Sequence, residues 1–259
     1  MSMTIGIISN ASRDIGLAFT NEVTKWLISK DCKPILEPAQ MHKSNFLLVL
    51  GGDGTMLQAA SLGAKHDIPI LGINLGSLGY LTDVDRNDGI AAIEKMLAGN
   101  FISEYRMMLE VDNELALNDV VIHGNGMLIS VRICINGNHM DTIRADGIIV
   151  STPTGSTAYN LSAGGPILRP DSEMIVLTAV CPHNLYTRPW VLSATDELTL
   201  ASVNEHEKKV IIYMDGVEKL QIMHGESVTV KSSQYKTTIV KTAGIDFFEI
   251  LRKKMGGQK

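Results

Sequence analysis

The densest chemistry in this sequence is a carboxylate set among glycines, Gly51-Gly52-Asp53-Gly54-Thr55, between the apolar run 46–50 and Met56-Leu57-Gln58-Ala59-Ala60. Glycines open backbone conformations closed to other residues and leave no side chain to hold a polyanion away from backbone N–H groups. Thr55 stands where a helix would begin, either as its cap or as a hydroxyl offered with the helix N-terminus to a phosphate. A plain phosphate cradle would not carry a negative charge at its centre. Asp53 therefore reads as a base, or as a metal contact, inside a phosphate site.

A second polar stretch, Ser151-Thr152-Pro153-Thr154-Gly155-Ser156-Thr157-Ala158-Tyr159, follows Arg144-Ala145-Asp146-Gly147 and one short apolar run. Its hydroxyls, and backbone groups freed by Pro153 and Gly155, suit a sugar or a base edge, with Tyr159 as a flat face. An elaborate turn ahead of a short helix capped by Ser156 or Thr157 explains the same residues. Asn118-Asp119, between apolar runs, offers a donor and acceptor pair for ribose hydroxyls, or marks a bulge. Asp215-Gly216 is a hairpin signal, and His183 and Arg188 fit loop structure.

The elements that must position these residues change character along the chain. Strands at 4–8, 34–36, 46–50 and 69–73 alternate with helices at 15–29, 55–64 and 89–98, which predicts an α/β layer with a mostly parallel sheet. Ligands in such layers gather at the carboxyl ends of the strands, where Asp53 falls. Asn74 to Asp83 follows the next strand, and its Gly76 and Gly79 allow a second close-approach loop. From about residue 103 short runs rich in Val, Ile and Thr take over, including 116–123, 227–231 and 237–242, which predicts a two-sheet, sandwich-like β domain. The boundaries are 1–102 for the α/β domain and 103–244 for the β-rich domain, with a helix in 245–259 returning to the first.

A net charge of −5 argues against a nucleic-acid binder, whose affinity rests on clustered Lys and Arg. Three scattered cysteines, Cys32, Cys134 and Cys181, match neither a disulfide framework nor a zinc site, and they fit a reducing cytoplasm. No apolar stretch reaches the length of a signal core or a membrane span, so no membrane partner is expected. G-x-x-x-x-G-K-[ST] and H-E-x-x-H are absent, and Gly124-Asn125-Gly126 meets Ile129 where a dinucleotide fingerprint needs glycine.

Taken in order and spacing, the Gly51 to Thr55 loop, Asn74 to Asp83, Leu117-Asn118-Asp119, and Asp146-Gly147 leading to Tyr159 resemble the NAD kinase family over nearly the whole chain. The first motif is also shared with diacylglycerol, sphingosine and phosphofructokinases; the stretch ending in Tyr159 is what makes the set specific. The resemblance implies transfer of the γ-phosphoryl group of ATP, or of polyphosphate, to the 2′-hydroxyl of the adenosine ribose of NAD. It implies Asp53 as base and Gly52, Gly54 and Thr55 as the loop meeting phosphates, with Asn74 and Tyr80 beside the substrate. Asn118 and Asp119 match the ribose-binding pair, with Asp119 where the commoner form has Glu. Thr157, Ala158, Tyr159 and Ser162 match the segment around adenosine, and Asp146 an acid that reaches a neighbouring subunit of a homodimer or homotetramer. Mg²⁺ is expected to arrive on the ATP, with no direct protein ligand assigned. A lipid or sphingoid-base kinase sharing the loop, and a non-catalytic NAD(P)-binding sensor, are the alternatives.

Overall fold

The apolar run Ile5-Gly6-Ile7-Ile8 forms the first strand, β1 (Thr4–Ser9), of a sheet whose other members follow the same logic of continuous burial. The computed structural model describes residues 2–76, 79–82, 84–203, 209–242, 244 and 246–256. It divides into two units, Met1–Tyr105 with Thr237–Lys259, and Arg106–Lys236.

In the first unit β1 is followed by α1 (Ala18–Ser29), β2 (Lys33–Ile35), β3 (Phe46–Gly51), α2 (Asp53–His66), β4 (Ile70–Asn74), a two-residue β5 (Val84–Asp85) and α3 (Gly89–Leu97). All strand pairs here are parallel, in the order β2-β1-β3-β4, and Ile239 of the last strand lies alongside Ile70. The chain leaves β1 towards β2 and leaves β3 towards β4. Their carboxyl ends therefore form the switch point of a doubly wound sheet, where loops diverge and leave room for a ligand. One face of the sheet is sealed by Phe19, Val23, Leu27, Ala92, Ile93 and Met96 from α1 and α3. On α2, Gly63 lets the helix approach β4, because a Cβ there would lie 2.7 Å from the Ile70 side chain.

The second unit is antiparallel. One sheet runs in the order Trp190–Ser193, Met174–Val180, Gly147–Ser151, Asp119–His123, Val210–Met214, Val217–Ile222. The other joins Asn138–Ala145, Ile129–Ile135, Leu198–Ser202 and Ser227–Lys241, the last also paired with Ile102–Val111. Val120, Ile122, Ile148 and Val150 of one sheet share a core with Val131, Ile133, Leu200 and Val230 of the other, the sandwich arrangement.

Four expectations change. The helix anticipated over 15–29 is interrupted, because Gly16 and Leu17 take φ +62° and +53°, and α1 proper starts at Ala18. The run 116–123 breaks at Leu117 and Asn118 into two strands. The separate strands anticipated at 227–231 and 237–242 are one strand of 15 residues, since Ser232-Ser233-Gln234-Tyr235-Lys236 contains no Gly or Pro to turn it. Helix α2 begins two residues before Thr55.

The start of α1 rests on Asp14. Its buried carboxylate accepts the N–H groups of Phe19 and Thr20, both at 2.9 Å, and the hydroxyl of Thr20. Burial raises its pKa, but bonds from the Thr20 hydroxyl, the two N–H groups and the Ser9 hydroxyl outweigh that and hold it below its ordinary 3.8. Asp14→Ala should lower stability by about 1–3 kcal/mol at pH 7, measured by urea unfolding. The native carboxyl has the lower pKa, so its contribution is complete above about pH 4 and fades as pH falls through the native value. The gap between wild type and variant should close on acidification; a gap that persists at pH 2 would contradict the assignment.

Candidate active site

Asp53 occupies the first turn of α2, directly past the carboxyl end of β3. Its Oδ2 accepts the Tyr80 N–H at 2.8 Å and its Oδ1 the Leu81 N–H at 2.9 Å, with the Thr82 hydroxyl at 3.5 Å. Gly79 makes this wrap possible, because a Cβ there would collide with the Asp53 carboxylate and the Thr82 hydroxyl. The carboxylate is half-buried and held by the second glycine loop rather than swinging in solvent. Ser77, Leu78 and Asp83 of that loop lie outside the described residues.

The glycines of the first loop serve close approach, not unusual backbone angles. None of Gly51, Gly52 and Gly54 has positive φ, and Gly52, the N-cap of α2, is extended at φ −121°. A Cβ on Gly51 would strike the Thr55 side chain, and one on Gly52 would lie 3.0 Å from the Arg13 guanidinium. Gly54 is exposed with nothing within 4 Å of its Cβ position, so open space lies beside Asp53 in the chain. Thr55 is neither a cap nor an exposed hydroxyl. It is the third residue of α2, buried, with its Oγ1 taking a 3.4 Å contact from Asn10 Nδ2. Asn74 is also turned inward, its amide bonded at both ends to Gly76, at 2.8 and 3.1 Å, so it shapes the loop instead of facing outward. Tyr80 has a half-buried ring with the Lys254 ammonium 5.7 Å from its centroid. Burial, then the charge of Asp53, pushes its phenol above the ordinary value.

In the second unit the polar stretch sorts itself by direction. Ser151, Thr152, Thr154, Ser156 and Asn160 are buried and consume their polar atoms internally. Gly155 is not a source of free backbone donors, since its N–H binds Thr152 Oγ1 at 3.0 Å and its Cβ position is filled by the Asn118 backbone. Thr157 and Ala158 are half-buried, and Tyr159 and Ser162 are exposed, so the less buried face of the stretch carries the residues that the family resemblance implies. Burial, then the charges of Cys181, Asp146 and Asp119, raises the Tyr159 phenol.

The Asn118-Asp119 loop is organised by a residue that its sequence context disguised. Asp215 sits at a hairpin turn with φ +50°, as Asp-Gly predicts, but its carboxylate also accepts the N–H groups of Leu117, Asn118 and Asp119 at 2.8, 2.7 and 3.3 Å. Asn118 thus spends its backbone on the fold and keeps its side-chain amide, half-buried, without a bond to any described residue. Asp119 is 5 % exposed, and burial together with the nearby Asp215 charge pushes its pKa up to about 7. Burial also raises Asp215, against the pull of its three N–H donors and Lys219. Those donors stabilise the charge on Asp215, so the proton of the pair resides on Asp119.

The predicted residues therefore form two groups, Asp53, Gly52, Gly54 and Tyr80 in the first unit and Asn118, Asp119, Asp146, Thr157, Ala158, Tyr159 and Ser162 in the second. Sequence reasoning missed Arg13 and the role of Asp215, which lie at least 39 and 96 residues from the loops they approach. Among the described residues no group of three or more His, Cys, Asp or Glu could hold a metal ion, and no helix is long and apolar enough to cross a membrane.

An α/β unit together with an antiparallel β unit is the fold of two solved structures, an NADH kinase and an NAD kinase. The chain superimposes on the yeast NADH kinase complexed with NADH (TM-score 0.85, 24 % identity, 100 % of this chain and 89 % of that one). It likewise matches an NAD kinase from Archaeoglobus fulgidus in complex with ATP (TM-score 0.79, 24 % identity, 99 % and 98 %). Residues 17–101 match the ATP-NAD kinase N-terminal domain and 117–242 the ATP-NAD kinase C-terminal domain. An NAD kinase of Thermoanaerobacter sp. (strain X514) is 37 % identical over 97 % of this chain and 98 % of its own length. The chain belongs to the NAD kinase family.

The Asp119 proton has a consequence for stability. The folded chain holds it to about pH 7, whereas an unfolded Asp releases it near 3.8, so this group makes stability fall as pH rises between those values. Asp119→Asn removes the titration. From pH 5 to 8 the wild type should lose on the order of 2–3 kcal/mol relative to the variant, read from paired thermal or urea unfolding curves. Parallel pH profiles would contradict a proton on Asp119.

Proposed function

We propose that this protein phosphorylates the 2′-hydroxyl of the adenosine ribose of NAD with ATP, giving NADP and ADP, and that Asp53 is the general base. The observation that carries the proposal is the Asp53 carboxylate, fixed by the Tyr80 and Leu81 N–H groups beside the bare, exposed Gly54. A carboxylate offers about four acceptor positions, and two backbone bonds leave it able to accept a hydroxyl proton as well. The hydroxyl oxygen forms the new bond to the γ-phosphorus while the bond to the β,γ-bridging oxygen breaks and ADP departs with its electron pair. Phosphoryl transfer asks the protein for position and charge compensation more than for covalent chemistry.

The first unit is assigned the donor phosphates and the proton, the second the dinucleotide. Asn118 presents its amide and Asp119, protonated near neutrality, a donor to ribose hydroxyls. Tyr159 supplies an exposed face for the adenine, flanked by Thr157, Ala158 and Ser162. The relatives named for NAD kinase, and the neighbours complexed with NADH and with ATP, support both ligand choices. Mg²⁺ enters as part of the donor substrate. We assign a homo-oligomer in which Asp146 serves a neighbouring copy, and a cytoplasmic location in keeping with three unpaired cysteines.

The test is a coupled NADP assay with MgATP, with polyphosphate and diacylglycerol as alternative donor and acceptor. Asp53→Ala should keep NAD binding and lose about 10²- to 10⁴-fold in turnover. Asp53→Asn should be equally inactive and less stable, because its NH₂ group would face a backbone N–H in place of one carboxylate oxygen. Turnover within threefold of wild type in Asp53→Ala would rule out the base.

A further inference from the structure

The guanidinium of Arg13 lies between the two glycine loops. A Cβ on Gly52 would come within 3.0 Å of its Nη1, and a Cβ on Gly76 within 2.7 Å of the same atom. The loop that carries it follows β1, and the glycines follow β3 and β4, so the cation stands over the carboxyl ends of three adjacent strands, at the switch point of the sheet.

The position is built. Asn10 N–H bonds Leu50 O across to β3, and Asn10 O accepts the N–H groups of Arg13 and Asp14 at 3.0 and 2.9 Å. The Asn10 side chain takes the Ser12 N–H and hydroxyl, and Asp14 is anchored in the start of α1. The guanidinium itself is exposed and has no ion pair or hydrogen bond among the described residues. Asp14, next in sequence, is committed to α1, and Asp53, next to Gly52 in sequence, to the Tyr80 and Leu81 N–H groups.

We infer that Arg13 binds the phosphate chain of the nucleoside triphosphate donor, supplying the fixed positive charge that a P-loop lysine supplies in other nucleotide enzymes. A planar fork of five N–H donors matches phosphate oxygens two at a time, and neither Gly52 nor Gly76 carries a side chain that would crowd its Nη1. The inference rests on the assignment of donor phosphates to this loop, and it specifies which side chain holds them.

Two measurements decide it. In the first, MgATP is titrated into the full-length protein without NAD, followed by calorimetry. Arg13→Ala should weaken binding about 10- to 100-fold, as expected for loss of a charged hydrogen-bonding partner, and Arg13→Lys should recover part of it. In the second, initial rates should show the loss in kcat/KM for ATP while KM for NAD stays within threefold, with the unfolding midpoint unchanged because Arg13 is exposed. Gly76→Ala provides an independent variant, since its methyl would push the guanidinium aside at small structural cost. It should weaken MgATP in the wild-type background and add little in Arg13→Ala. MgATP affinity unchanged in Arg13→Ala would overturn the inference, as would equal losses for ATP and NAD. If the wild type makes no NADP, the kinase assignment falls, and the calorimetric arm alone decides Arg13.

Discussion

The architecture around the glycine loop depends on one interaction, the Asp53 carboxylate gripped by two consecutive backbone N–H groups. Hydrogen bonds to a charged acceptor are roughly twice as strong as neutral ones, and here they tie the loop after β3 to the loop after β4. A freely rotating carboxylate would lose its alignment with a bound hydroxyl for most of its conformers. The absence of a side chain at Gly79 is what lets the backbone come this close.

The same device recurs twice. Asp14 gathers the N–H groups at the start of α1, and Asp215 gathers those of Leu117, Asn118 and Asp119. In each case an irregular stretch of backbone, which would otherwise leave donors unsatisfied, is given one anionic acceptor. Arg13, Tyr80 and Asn118 thereby acquire defined positions without spending their own side chains. Asp53 is half-buried where Asp14 is buried, and it is set apart from both other aspartates by adjoining the open position of Gly54.

Much of this was legible in the sequence because strands of the first unit are buried on both faces and read as unbroken apolar runs, as 46–50 does. The Asn-Gly pair at 136–137 is a hairpin signal of the same plainness, and both residues take positive φ between Ile129–Ile135 and Asn138–Ala145. Of the two reasons for glycine at 51–54, special backbone angles and the lack of a side chain, only the steric one has support: none of the three takes positive φ, and a Cβ at Gly51 or Gly52 would crowd Thr55 or Arg13. Thr55 and Asn74 stand at positions the motif marks, yet both point inward, because the start of a helix is set by capping geometry two residues away and an Asn after a strand readily closes on its own backbone. Asp215 looked like any Asp-Gly turn, and only pairing of distant strands brings its carboxylate to the loop it organises. Arg13 carried no local signal at all, being one charged residue in a polar loop.

The central claim is that a dinucleotide hydroxyl, oriented for Asp53, receives the γ-phosphoryl group of ATP. Its most direct measurement is the position of the new phosphate in the product formed from NAD and MgATP, read by phosphorus–proton coupling in NMR spectra of the purified product. The account predicts a monoester on the 2′-carbon of the adenosine ribose and no other phosphorylated position. A phosphate at any other hydroxyl of NAD, or an NAD left unmodified while ATP is consumed, would contradict it.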